Sequence, residues 1–200
     1  MLTGHYATAL IPYELTRKEQ RVGFWLFLLA AQFLDVLMLL LISVNIESFN
    51  PPNFFEASFS TITTNMFVSH DLIPVIGWAV LFGLVVWGIT KKPVVALWCV
   101  GLIVFHELCD FIVGFEHFVF GTDTAPIGFA LYSNAPVAGM LLEAVMCLAI
   151  VLWFTRKRAN EGNPVSMMVK VGLYVILVGG ALSTIPVATQ SLNSLFGLSI

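Results

Sequence analysis

The chain has 200 residues, of which 58% are hydrophobic and only 10% charged, with a formal net charge of −3 and a mean hydropathy of +0.93. That is too little charge to cover the surface of a water-soluble domain of this size. Several apolar stretches of spanning length instead predict one polytopic membrane domain over residues 1–200, with no nucleic-acid partner and no internal repeat.

The opening MLTGHYATALIPYEL has no basic residue before its apolar part and no convincing cleavage site, so it does not read as a signal peptide. It suits either a half-helix dipping back into the bundle, with Pro12 starting or bending it, or an amphipathic helix lying on the membrane surface. Five spans follow, at 22–46, 70–90, 93–115, 134–154 and 166–188. They are rich in Leu, Val, Phe and Gly and lack strand-like alternation, which predicts helices. The expected fold is an all-α membrane helix bundle of about five transmembrane helices, plus the short re-entrant or interfacial N-terminal helix. Cys99, Cys109 and Cys147 stand singly within apolar spans and read as packing residues.

Charge placement sets the expected orientation. Arg17, Lys18 and Arg21 precede the first span, Lys91 and Lys92 fill the turn after the second, Arg156, Lys157 and Arg158 follow the fourth, and Lys170 lies near the start of the fifth. In a five-span arrangement all nine basic residues share one side. The opposite loops carry Glu47, Glu56, Glu116 and Asp123 but neither Lys nor Arg. The positive-inside rule then predicts an inner-membrane protein with a cytoplasmic N-terminus and an external C-terminus.

Ionisable residues within spans are costly, and they usually face a protein interior or a water-filled cavity. Asp35 lies fourteen residues after Arg21, His106 fourteen after Lys92, and Glu143 thirteen before Arg156. At about 1.5 Å per residue, each stands roughly 20 Å from the inner surface. His5 reaches about 18 Å inward if the N-terminal segment is re-entrant. His106 and Asp110 are four apart on one helical face, and His117 returns to nearly that face seven residues later. Gly114 offers an early end to this helix, in which case His117 hangs from the outer loop. Ser69, His70 and Asp71 sit at the outer end of the second span, and Gln32 shares a side with Asp35. All four histidines thus join carboxylates in one outer-half constellation. Imidazole and carboxylate form the usual ligand set for zinc, iron or manganese.

Gly4-His5, Asp35, Ser69-His70 and His106-x-x-x-Asp110, in this order, resemble a family of small bacterial inner-membrane proteins described as membrane-bound metal-dependent hydrolases. The His-and-Asp spacing is also similar to that of zinc-dependent phospholipase C. These resemblances imply a divalent metal, zinc above all, held by His5, Asp35, His70, His106 and Asp110, with His117 and Glu143 as further ligands. They imply hydrolysis of a lipid-linked phosphoester from the outer side, with Asp71 or Glu107 relaying a proton. The chain departs from the family in having Asp71 after the Ser-His pair and only Asp35 where the family has two carboxylates. No Lys or Arg lies in the outer half to hold a phosphate.

Two other roles fit the residues. One is an accessory subunit of a membrane complex, its partner docking on the small residues Gly172, Gly179, Gly180 and Ala181 of the fifth span. The other is a proton or metal-ion conduit. It is disfavoured because the cytoplasmic half lacks polar relay groups, and neither inverted repeats nor broken helices in matching halves are evident in the sequence.

Overall fold

The structure, a computed structural model, describes residues 1, 3–17, 23–53 and 55–197; Lys18 and Arg21 of the first basic cluster lie outside them. The chain is an all-α bundle with four helices long and apolar enough to cross a membrane, and a fifth span made from a bent helix pair. Large apolar side chains such as Trp25, Leu40, Ile89 and Leu97 are exposed around it, as lipid-facing positions require.

The second and third spans form a tight hairpin. Helix α5 (Leu72–Thr90) ends at Lys91, whose φ of 56° is left-handed and whose N–H bonds Trp87 at 2.8 Å. Pro93 then opens α6 (Pro93–Val113) at a position where its missing N–H costs nothing. The two helices approach closely at Gly83, where any Cβ would run into Val100 Cγ2. The fourth span, Pro136–Asn160, also opens on proline and carries Lys157 and Arg158 in its last turn, where the helix dipole favours cations. The fifth span runs from Met167 to Val187 through a π-helical stretch, Tyr174–Gly179; only Leu177 and Ala181 are buried along it.

The N-terminal segment resolves the alternatives left open by the sequence. It forms α1 (Gly4–Thr8) and α2 (Leu10–Thr16), packed within the bundle rather than lying on its surface. Ala9 packs with Phe27, Ala30, Ala31 and Val95, while Ala7 and Leu10 pack with Cys147, Val151 and Leu177. Carboxylates hold both of its ends. Glu143, fully buried, accepts from the Thr3 amide at 2.5 Å, the Gly4 amide at 2.7 Å and the Tyr132 hydroxyl at 2.6 Å. At the far end Glu14 accepts from Arg17 at 2.8 Å, and Arg17 also donates to Glu161 at 2.7 Å.

The first span is not one straight helix. Instead α3 (Phe24–Ala31) and α4 (Phe33–Ser43) meet at Gln32 with a bend of 57°. Neither Pro nor Gly lies at this break; polar side chains inserted into the helical ladder account for it. The Ala31 carbonyl accepts from His106 Nδ1 at 2.7 Å. With its amide nitrogen toward Asp35, Gln32 donates to Oδ2 at 3.0 Å and accepts from the Tyr6 N–H at 3.2 Å. The loops at the end of the bundle away from Arg17 and Arg158 form two small antiparallel hairpins, which the sequence reading did not anticipate. They pair β1 (Ser48–Asn50) with β2 (Thr63–Asn65), and β3 (His117–Phe118) with β4 (Pro126–Ile127).

The Gly83 contact gives a direct test of the hairpin. Gly83→Ala is expected to destabilise the protein by about 1–3 kcal/mol through overpacking. Gly77→Ala, where a Cβ meets open space, should be neutral or slightly stabilising, as judged by thermal unfolding in detergent.

Candidate metal centre

Helix α6 supplies the rigid wall of the site. His106 and Asp110, one turn apart, are both buried, and Asp110 Oδ2 stands 3.3 Å from His106 Nε2. The bend at Gln32 puts Asp35 in the first turn of α4, where its Oδ1 lies 3.8 Å from His106 Nε2 and 3.6 Å from His70 Nε2. His70, just before α5, completes the group, with Nε2 3.9 Å from Asp110 Oδ2. One ligand atom from each of Asp35, His70, His106 and Asp110 lies within 4.8 Å of all the others. A tetrahedral ion with bonds of about 2.1 Å separates its ligand atoms by about 3.4 Å. The four spacings bracket that value closely enough for a small inward adjustment to close the cage.

The hydrogen bonds behind the two rings orient them for such a role. The Ala31 carbonyl can only accept, so His106 Nδ1 carries a proton, and in the neutral ring it is the Nε2 lone pair that faces the cage. That Nε2 is buried without a hydrogen-bond partner, which is the condition expected of a ligand atom. His70 Nδ1 lies 2.7 Å from Ser69 Oγ, which donates to Glu47 Oε2 at 2.7 Å. Glu47 is itself fixed by the Val68 and Ser69 amides at 2.9 and 2.8 Å. A carboxylate behind a histidine in this way sets its tautomer and raises its basicity toward a metal. The donor set therefore fits a divalent ion, whose charge would offset two neighbouring carboxylates.

The remaining sequence candidates take other places. His5 lies against the cage, its Nε2 3.1 Å from Asp110 Oδ1 and its ring stacked 3.5 Å from that of His106. The Met1 nitrogen also contacts Asp110 and lies 2.7 Å from His5 Nε2. His117 is in β3 beyond the end of α6, its Nδ1 2.9 Å from the His70 carbonyl and 3.3 Å from Glu107 Oε1. Burial opposes charge on His117, but Glu107 outweighs it and raises the pKa above that of free imidazole. Glu107 is thus brought beside His117. Glu143 is engaged with Thr3, Gly4 and Tyr132, as described above. Asp71 accepts from the Phe118 and Gly121 amides at 3.2 and 2.5 Å, holding the second hairpin in place.

A cavity of about 270 Å³ lies over the cage. Gln32, Asp35, His70, Asp110, His117 and the Met1 nitrogen contribute to its polar part, while Tyr6, Leu39, Phe59, Met66, Phe115 and Tyr132 contribute to its apolar walls. Among the described residues no Lys or Arg lines it. The sequence reading missed Glu47 as a supporting group, because twenty-two residues separate it from Ser69 and no local spacing links them. No protein-family model, curated protein or solved structure matches this chain.

If Glu47 tunes His70, Glu47→Gln should weaken divalent-metal affinity by about 10–100-fold while leaving the fold intact. Competition with a chromogenic chelator would measure this; an unchanged affinity would remove Glu47 from the site.

Proposed function

We propose that the protein is a membrane-embedded metal-dependent hydrolase, binding zinc or a similar divalent ion and cleaving an ester of a lipid-linked substrate. One observation carries the reading: two imidazole nitrogens and two carboxylate oxygens gather within 4.8 Å at a cavity inside a membrane bundle. An ion held there would supply Lewis acidity and lower the pKa of a water molecule toward neutrality. Asp35, His70, His106 and Asp110 hold that ion, and Ala31, Ser69 and Glu47 keep the rings aimed at it. His117 Nε2, buried and without a hydrogen-bond partner on the cavity wall, is placed to meet a substrate oxygen, with Glu107 behind it. A lining without Lys or Arg among the described residues suits a reacting group of low charge, a phosphodiester or carboxylic ester, better than a phosphomonoester. By the positive-inside rule the hairpin-bearing end faces away from the cytoplasm, so the substrate is reached from the outer leaflet.

A second reading is favoured by the fifth span, along which only Leu177 and Ala181 are buried. Its open face suits a partner helix in a membrane complex, with the polar cluster serving to fix packing.

Metal analysis of purified protein is expected to give about one divalent ion or more per chain, and His106→Ala and Asp110→Ala to abolish it. Chelation should stop hydrolysis of a fluorogenic phosphodiester or carboxylic ester, and added zinc should restore it. Metal-free protein that keeps its fold would instead favour the packing role.

A further inference from the structure

Where the cavity opens is set by its own lining. Phe49, Phe59, Ile62 and Met66 from the segment between α4 and α5, with Phe115 and Tyr132 from the segment between α6 and the fourth span, roof it at the hairpin-bearing end. Of all the lining residues only Tyr6 and Leu39 are substantially exposed, at 42% and 56%. They come from different elements, α1 and α4, and so mark a mouth on the side of the bundle. Leu39 also belongs to an outward stripe on α4 that continues to its C-terminal cap, with Val36, Leu40 and the cap residue Val44 at 42%, 61% and 61% exposed. Spacings of three, four and eight residues keep these on one helical face. In a bundle of membrane-spanning helices such a stripe is at home against hydrocarbon and not against water, so the mouth opens toward the bilayer. The bend at Gln32 is the cause: only Leu34 of α4 is buried, whereas Phe27, Ala30 and Ala31 anchor α3.

We propose that one acyl chain of a membrane lipid enters the cavity sideways between Tyr6 and Leu39, bringing the polar head of that lipid to Asp35, His70 and Asp110. This deepens the hydrolase reading, on which the fate of the bound lipid rests; the chain-binding site stands on the geometry of the mouth. The apolar walls suit a hydrocarbon chain, and with no Lys or Arg among the described lining residues the bound ion meets the head, beside the Met1 nitrogen, His70 and His117.

The test uses the full chain in nanodiscs of phosphatidylcholine carrying a photoactivatable diazirine on one acyl chain, with adducts mapped by mass spectrometry. Adducts are expected on buried Met66 and on Phe59 as well as on outward Leu40. Leu39→Trp, which plugs the mouth, should lower the Met66 adduct by about tenfold while Leu40 labelling and metal content stay unchanged; Leu40→Trp should leave Met66 labelling as it is. Adducts confined to Leu40 and Val44, or Met66 labelling indifferent to Leu39→Trp, would overturn the proposal. Cleavage of a water-soluble ester without Met66 labelling would likewise refute the side mouth and spare the hydrolase reading. Strong Met66 labelling without any hydrolysis would refute the hydrolase reading and keep the chain site.

Discussion

Asp35 and Asp110 converge on the same two imidazole nitrogens inside a bundle built to sit in hydrocarbon, and their charge has to be offset there. Burying unpaired carboxylates costs several kcal/mol each, so the surrounding structure is organised around supplying partners. Histidines come from α6, from the segment before α5 and from the N-terminal helix. The Ala31 carbonyl, the Gln32 amide and the Ser69–Glu47 pair then occupy the outward-facing atoms. The Met1 amine and His5 meet Asp110 at Oδ1, while Asp110 Oδ2, Asp35 Oδ1 and the Nε2 atoms of His70 and His106 remain turned toward one another, a gathering of ligand atoms that is the chemistry of a cation site.

The broken first span links this electrostatic constraint to access. A straight helix would spend the Ala31 carbonyl on its own ladder. Breaking it at Gln32 frees that carbonyl to orient His106 and sets Asp35 near the positive end of a new helix. The same break swings α4 away from the core and leaves the cavity open beside Leu39. Ligand geometry and the side opening thus have one structural cause. The buried Glu143, by holding Thr3 and Gly4, keeps α1 in place as the other side of that opening.

Much of this was legible in the sequence. Composition and the length of the apolar runs give the bundle, and the depth count from the basic turns brings Asp35 and His106 to one level. The i,i+4 pair His106 and Asp110 needs only helical geometry. Glu143 shows the limit of the same arithmetic: depth alone does not say which way a side chain points, and this carboxylate is taken by the amides of α1. The bend at Gln32 was hidden because no Pro or Gly marks it; it arises from tertiary hydrogen bonds made by His106 and Tyr6. The hairpins escaped notice because their strands are two or three residues long, too short for alternation to register. The resemblance makes Asp71 or Glu107 a proton relay, but only the folded chain shows that the Asp71 oxygens hold the Phe118 and Gly121 amides, a pairing no local spacing signals.

X-ray absorption at the metal edge of zinc-loaded protein addresses the central claim most directly. The account predicts a shell of about four nitrogen and oxygen ligands near 2.0–2.1 Å, with the multiple scattering of two imidazoles. A shell without imidazole scattering, or one unchanged when both His70 and His106 are replaced by alanine, would contradict it.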